Sequence, residues 1–126
     1  MKPTDKVVKL ACQLYDAGHR QEIQEGDWVK CDVYKGIHLV CSAYREWVVL
    51  NELGHVFEKD CIPIPTLSQC LRWLTENGDP DEIDLAPYGN IWRIHYDCFT
   101  YTHAEAPTPE EAAMLAMIKI LKGEGK

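Results

Sequence analysis

Nine residues carry a dense set of reactive side chains: His95-Tyr-Asp-Cys-Phe-Thr-Tyr-Thr-His103, with Arg93 two positions upstream. Imidazole, thiolate and carboxylate groups hold transition metals, and imidazoles and carboxylates move protons. Whether these groups act together depends on the backbone beneath them. Ile91 to Tyr101 is rich in aromatic and β-branched residues and reads as one strand. Successive side chains of a strand point to opposite faces. Trp92, Ile94, Tyr96 and Cys98 then share one face, and Arg93, His95, Asp97, Phe99 and Tyr101 share the other. His95 and Cys98 are separated by about 10 Å along such a strand, whereas zinc holds its ligands at about 2.0–2.3 Å. His103 would lie roughly 26 Å from His95 in a straight strand, and only a sharp reversal would bring the two together. The expectation is no metal and no cofactor. Arg93, His95 and Asp97 remain as weak catalytic candidates, a row at i, i+2, i+4 suited to a small anion or to acid–base chemistry. The plainer reading is the solvent-facing polar row of a half-buried sheet, and it is preferred.

Other signatures of catalysis are absent from the sequence. It contains no G-x-S-x-G elbow, no glycine-rich phosphate loop and no H-E-x-x-H. Glu76, Asp79, Asp81, Glu82 and Asp84 crowd one segment, but Asn-Gly-Asp-Pro-Asp-Glu lacks the ligand order of an EF-hand. That segment reads as a solvated acidic connection. Cys12 and Cys70 fall on or beside apolar helix faces and read as small core residues.

The elements that would position these groups follow from periodicity and caps. Thr4 to Ala17 reads as a helix, with Val7, Val8, Ala11, Leu14 and Tyr15 on one face, Thr4 as cap and Gly18 as stop. Gly26–Val33, Ile37–Tyr44 and Trp47–Leu50 read as strands, and His55-Val-Phe57 as a short edge strand after Gly54. Thr66 and Gln69 form a capping box ahead of the Leu67, Cys70, Leu71, Leu74 stripe, with Gly78 as the stop. Two further strands, Ile83–Ala86 and Ile91–Tyr101, flank a Pro-Tyr-Gly-Asn turn. Thr108-Pro-Glu-Glu111 opens a last helix that is apolar over most of its surface, so it is expected to be sandwiched between other elements. Trp28, Trp47 and Trp92 fall in strands and Trp73 on a helix edge; two or three of the four are expected in the core.

The expected fold is one α+β domain over residues 1–126, with 123–126 as a frayed tail. It is an antiparallel sheet of about five strands with three helices, in the order helix, strands, helix, strand, strand, helix. A chain of 126 residues is long enough to bury a core without a disulfide or metal. The net charge of −7, with no cluster of lysine or arginine, disfavours general nucleic-acid binding. No apolar run reaches the roughly 20 residues of a membrane helix, and the first residues do not read as a secretory signal. The expected location is cytoplasmic, away from membranes, with the six cysteines, none in a C-x-x-C pair, reduced.

The stretch Ile64-Pro-Thr-Leu-Ser-Gln-Cys-Leu-Arg-Trp-Leu74 resembles the I-P-T-L-x-x-L-L-x-W-L segment of a family of small phage and prophage proteins. Thr108-Pro-Glu-Glu-Ala112 resembles that family's closing T-P-E-E-A helix, and Gly26-Asp-Trp28 also fits. Cysteines at 61 and 70 depart from the pattern. The shared positions are mainly caps and core, so the resemblance implies a fold and a mobile-element origin but assigns no residue a role. A looser similarity to HicB-type antitoxins rests on the same closing helix. The preferred expectation is a non-catalytic module that binds another protein or itself, as a homodimer, through a strand edge or an apolar patch. The alternatives are a HicB-like antitoxin, an acidic decoy of nucleic acid, and a small enzyme working through Arg93, His95 and Asp97.

Overall fold

The computed structural model describes residues 2–50, 54–77, 82–97 and 101–123. It is an α+β domain of three helices and two antiparallel sheets. Helix α1 runs Asp5–Asp16, helix α2 Leu67–Glu76 and helix α3 Pro109–Leu121. Strands β1 (Trp28–Cys31), β2 (Ile37–Tyr44), β3 (Trp47–Leu50), β4 (Gly54–Phe57) and β5 (Cys61–Ile64) form one sheet, in the order β4-β3-β2-β1-β5. Strands β6 (Glu82–Tyr88), β7 (Ile91–Asp97) and β8 (Tyr101–Ala106) form the other, in chain order.

The caps lie where their chemistry puts them. The Thr4, Thr66 and Thr108 hydroxyls accept from the N–H groups of Val7, Gln69 and Glu111, each three residues on. At α2 the box is reciprocal, with Thr66 N–H donating to Gln69 Oε1 at 2.9 Å. At α3 the Glu111 carboxylate instead accepts from the Thr108 hydroxyl at 2.7 Å. It does so while buried and 3.9 Å from Lys6 Nζ on α1. Gly18 takes φ +107° just past α1, a left-handed conformation open to glycine. The expected stop at Gly78, Asp79 and Asp81 of the acidic connection and residues 124–126 of the tail lie outside the described residues, whereas Glu76 ends α2 and Glu82 and Asp84 belong to β6 rather than to a loop.

Two cores result. Leu10, Leu14, Cys70, Leu74, Ile94, Met114 and Met117 belong to one, built from all three helices and the inner face of β6–β8. Helix α3 is packed against α1, α2, β7 and β8, which is the sandwiched position its all-round apolar surface requires. Ile23, Val29, Cys31, Val40, Val48, Leu50, Val56 and Cys61 form the second core, inside the five-stranded sheet. A bulge between Val40 and Ser42 kinks β2, so its first half pairs with β1 and its second with β3. Strands β1 and β5 serve both cores: Val29 and Cys61 face the second, while Trp28 and Ile64 pack on the first.

Two strands go beyond the expectation. Strand β5 contains Pro63, which argues against a strand except at a sheet edge, and β5 is an edge. Strand β8 corrects the reading of Ile91–Tyr101 as a single strand. Strand β7 ends at Asp97, and the chain returns from Tyr101 antiparallel to it.

Candidate functional site

The return of β8 converts the reactive stretch from a line into a hairpin. His95 and His103, distant along a straight strand, are direct cross-strand partners with rings stacked 5.1 Å apart. Arg93 lies opposite Glu105, and its Nε and NH2 reach Glu105 Oε1 at 2.9 and 2.8 Å. His103 Nε2 lies 3.1 Å from the same oxygen. The Arg93 guanidinium also covers the Tyr88 ring at 4.5 Å. The alternation expected for β7 holds in its described side chains: Ile94 is fully buried, while Arg93 and His95 are half-buried on the other face. Asp97 closes β7 opposite Tyr101, but its side chain lies outside the described residues, as does Cys98. The row is therefore Arg93, His95, His103 and Glu105, with Asp84 in register beside His95.

This arrangement is better at holding a sheet than at holding a substrate. Glu105 sits against both Arg93 and His103, so an incoming anion must displace a carboxylate already within 3 Å of the guanidinium. Cross-strand opposite-charge pairs are a common unit of sheet stabilisation. No group of three or more His, Cys, Asp or Glu among the described residues is placed to hold a metal ion.

The outer face of the five-stranded sheet is different. Trp47 on β3 and Phe57 on β4 are register partners, stacked at 4.2 Å and each 40 % exposed. Tyr44, opposite Trp47 on β2, is 66 % exposed. His55 meets the Trp47 ring edge-on at 6.1 Å. Ser42, Tyr44, Trp47, Val49 and His55 line a shallow cleft of about 550 Å³. A second cleft of about 570 Å³, lined by Tyr15, Arg20, Ile23, Phe57 and Cys61 among others, opens beside Phe57. Lys59 and Arg45 place cations over the Phe57 and Tyr44 rings, at 5.3 and 5.1 Å. Strand β4 is a sheet edge.

No protein-family model, curated protein or solved structure matches this chain. Trp28, Trp73 and Trp92 pack on the helical core, so Trp47 is the tryptophan that the fold leaves most exposed. A sequence signal for it exists: Trp47, Val49, His55 and Phe57 occupy alternate positions of two paired strands, which puts all four on one face. What alternation leaves open is which face is solvent, because valines fill the other.

A third cluster lies where the segment after α1 meets α2. His19 Nε2 pairs with Gln21 Oε1 (3.3 Å), Gln21 Nε2 donates to Gln69 Oε1 (3.2 Å), and Gln69 Nε2 donates to Asp27 Oδ1 (3.3 Å). Asp27 Oδ2 accepts from Gln24 N–H at 2.9 Å. His19 is buried with its Nδ1 unpartnered, and burial holds its pKa below the ordinary histidine value. The chain links a connecting segment to the α2 cap, a structural task. Sequence reasoning missed it because its hydrogen-bonded partners lie up to 48 positions apart.

Proposed function

We propose that the protein is a non-catalytic protein-binding module that takes its partner on the Tyr44, Trp47, Phe57 face and the adjoining β4 edge. The stacked, half-exposed Trp47–Phe57 pair carries this reading. Aromatic side chains of this kind anchor interfaces, and an unpaired strand edge offers backbone N–H and C=O groups to an extended segment. The net charge of −7 favours a protein over a nucleic acid as the occupant. A cytoplasmic, mobile-element setting fits the sequence resemblance and belongs to the same proposal. No helix among the described residues is long and apolar enough to cross a membrane.

The test compares wild type with Trp47→Ala/Phe57→Ala by native-mass detection of complexes isolated from the source cell, and by sedimentation of the purified chains. The proposal expects a partner or a dimer held by wild type and lost by the double variant. Identical complexes from both, or a wild-type chain that is monomeric and captures nothing, would remove it. The alternative enzyme reading draws on the stacked His95–His103 pair; it requires His95→Gln to abolish a turnover that Trp47→Ala leaves intact.

A further inference from the structure

Cys31 on β1 and Cys61 on β5 are direct cross-strand partners in an antiparallel pair. Both are free and buried, and their sulfurs lie 3.4 Å apart. Directly opposed antiparallel residues have Cα atoms about 4.5–5.5 Å apart, which lies inside the range a disulfide spans. Bond formation needs the sulfurs to close to about 2.05 Å, a movement that small side-chain rotations supply. The pair differs from the other described cysteines in this respect. Cys70 is fully buried in the helical core, Cys41 is exposed at the β2 bulge, and Cys12 sits near Lys30 Nζ at 3.8 Å.

We propose that Cys31 and Cys61 form a latent redox pair that a small oxidised disulfide, such as oxidised glutathione, converts into a cross-strand disulfide tying β1 to β5. Access comes from one side. Cys61 lines the cleft of about 570 Å³ beside Phe57, whereas Cys31 does not. The Cys61 thiolate attacks one sulfur of the oxidant, breaking its S–S bond and expelling one small thiolate. Cys31 stands next to Cys61 in the structure. Once deprotonated, its sulfur attacks the Cys61 sulfur of the mixed disulfide and expels the second. Two protein thiols are oxidised, one small disulfide is reduced to two thiols, and the two protons go to the departing thiolates. Burial and the neighbouring Cys31, Asp60 and Glu58 push the Cys61 thiol up to about 12. Thiolate is therefore scarce near neutrality, and the reaction quickens about tenfold per pH unit on the alkaline side. The product closes a loop with ends 30 positions apart that contains β2, β3 and β4. Its effect is to hold the edge strand β5 in place.

The experiment uses the full-length chain carrying Cys12→Ser, Cys41→Ser and Cys98→Ser, which leaves three thiols. It is equilibrated with oxidised glutathione at pH 7 and pH 9, quenched by alkylation in denaturant, and mapped by peptide mass. The expected result is loss of two thiols, a cross-linked peptide joining positions 31 and 61, faster formation at pH 9, and a Tm raised by several degrees. Dithiothreitol reverses all of these. Adding Cys31→Ser to the same background removes the cross-link and the Tm rise. Three alkylatable thiols after equilibration, a reaction that stops at glutathione on Cys61, or a cross-link to Cys70 would each overturn the proposal. If the triple variant does not fold, peptide mapping of the oxidised wild-type chain decides between the same outcomes.

Discussion

On the outer face of β6–β8, Arg93 and Glu105 pair their charges, and His103 lies against the same carboxylate oxygen. On the outer face of β2–β4, Trp47 and Phe57 stack on each other, touched by His55 and Lys59, and leave four-tenths of their surface to water. Both faces belong to antiparallel strands with an apolar core behind them. The polar face is the one whose residue types look reactive, yet its geometry is a closed set of cross-strand pairs. The aromatic face carries no residue with obvious chemistry, yet it holds apolar surface that another surface can cover. Residue type nominated one face, and the partners each side chain finds nominate the other.

The sharpest way to break this comparison is to cut behind each face. Ile94→Ala removes a fully buried side chain under the polar row, and a loss of about 2–5 kcal/mol is expected in a chemical melt. Trp47→Ala strips the aromatic face and is expected to cost only about 1 kcal/mol. If the Trp47 change proved as damaging as the Ile94 change, the aromatic pair would be part of the core rather than a docking surface. An effect of the size expected for Trp47→Ala tests the element behind the polar face. Thr108→Ala removes the α3 cap, for a loss of about 1 kcal/mol by the same melt.

Smaller still is the charge pairing itself. A double-mutant cycle on Arg93→Ala and Glu105→Ala is expected to give a coupling of about 0.2–1 kcal/mol, because both side chains are about one-third exposed. The coupling should shrink in molar salt. A cycle giving no coupling would mean that the row is not closed and that Arg93 is available to a ligand. The finest probe is acidification. His19 has a folded pKa held below the ordinary value of about 6.5 by burial, so the unfolded chain takes up that proton first. The stability contributed by its neutral ring is complete above about pH 6.5 and falls away as the pH drops through that value toward the folded pKa. His19→Gln should flatten that part of the stability–pH profile; an unchanged slope would place the acid sensitivity elsewhere.

Local signals were readable where the physics is local. The caps at Thr4, Thr66 and Thr108 reach only three residues, and the strand bounds of β2 and β3 follow from the residues within them. Strand β5 was hidden because Pro63 counts against a strand unless the sheet order makes it an edge. Strand β8 was hidden because aromatic residues run from β7 toward Tyr101, so composition does not mark where pairing stops. The Arg93–His95 part of the polar face was visible by alternation, while His103 and Glu105 joined it only through the reversal.

The alternation of helices with runs of strands, the α+β class, the three capped helices and the apolar character of α3 were determined by the sequence alone, because periods of two and 3.6 residues and three-residue caps are written into neighbouring positions. The pairing of His95 with His103, the meeting of Cys31 with Cys61, the network from His19 to Asp27 and the exposure of Trp47 were decided by tertiary structure. Each depends on where a distant strand or helix comes to rest, and that is set by the packing of two whole cores rather than by any local run of residues.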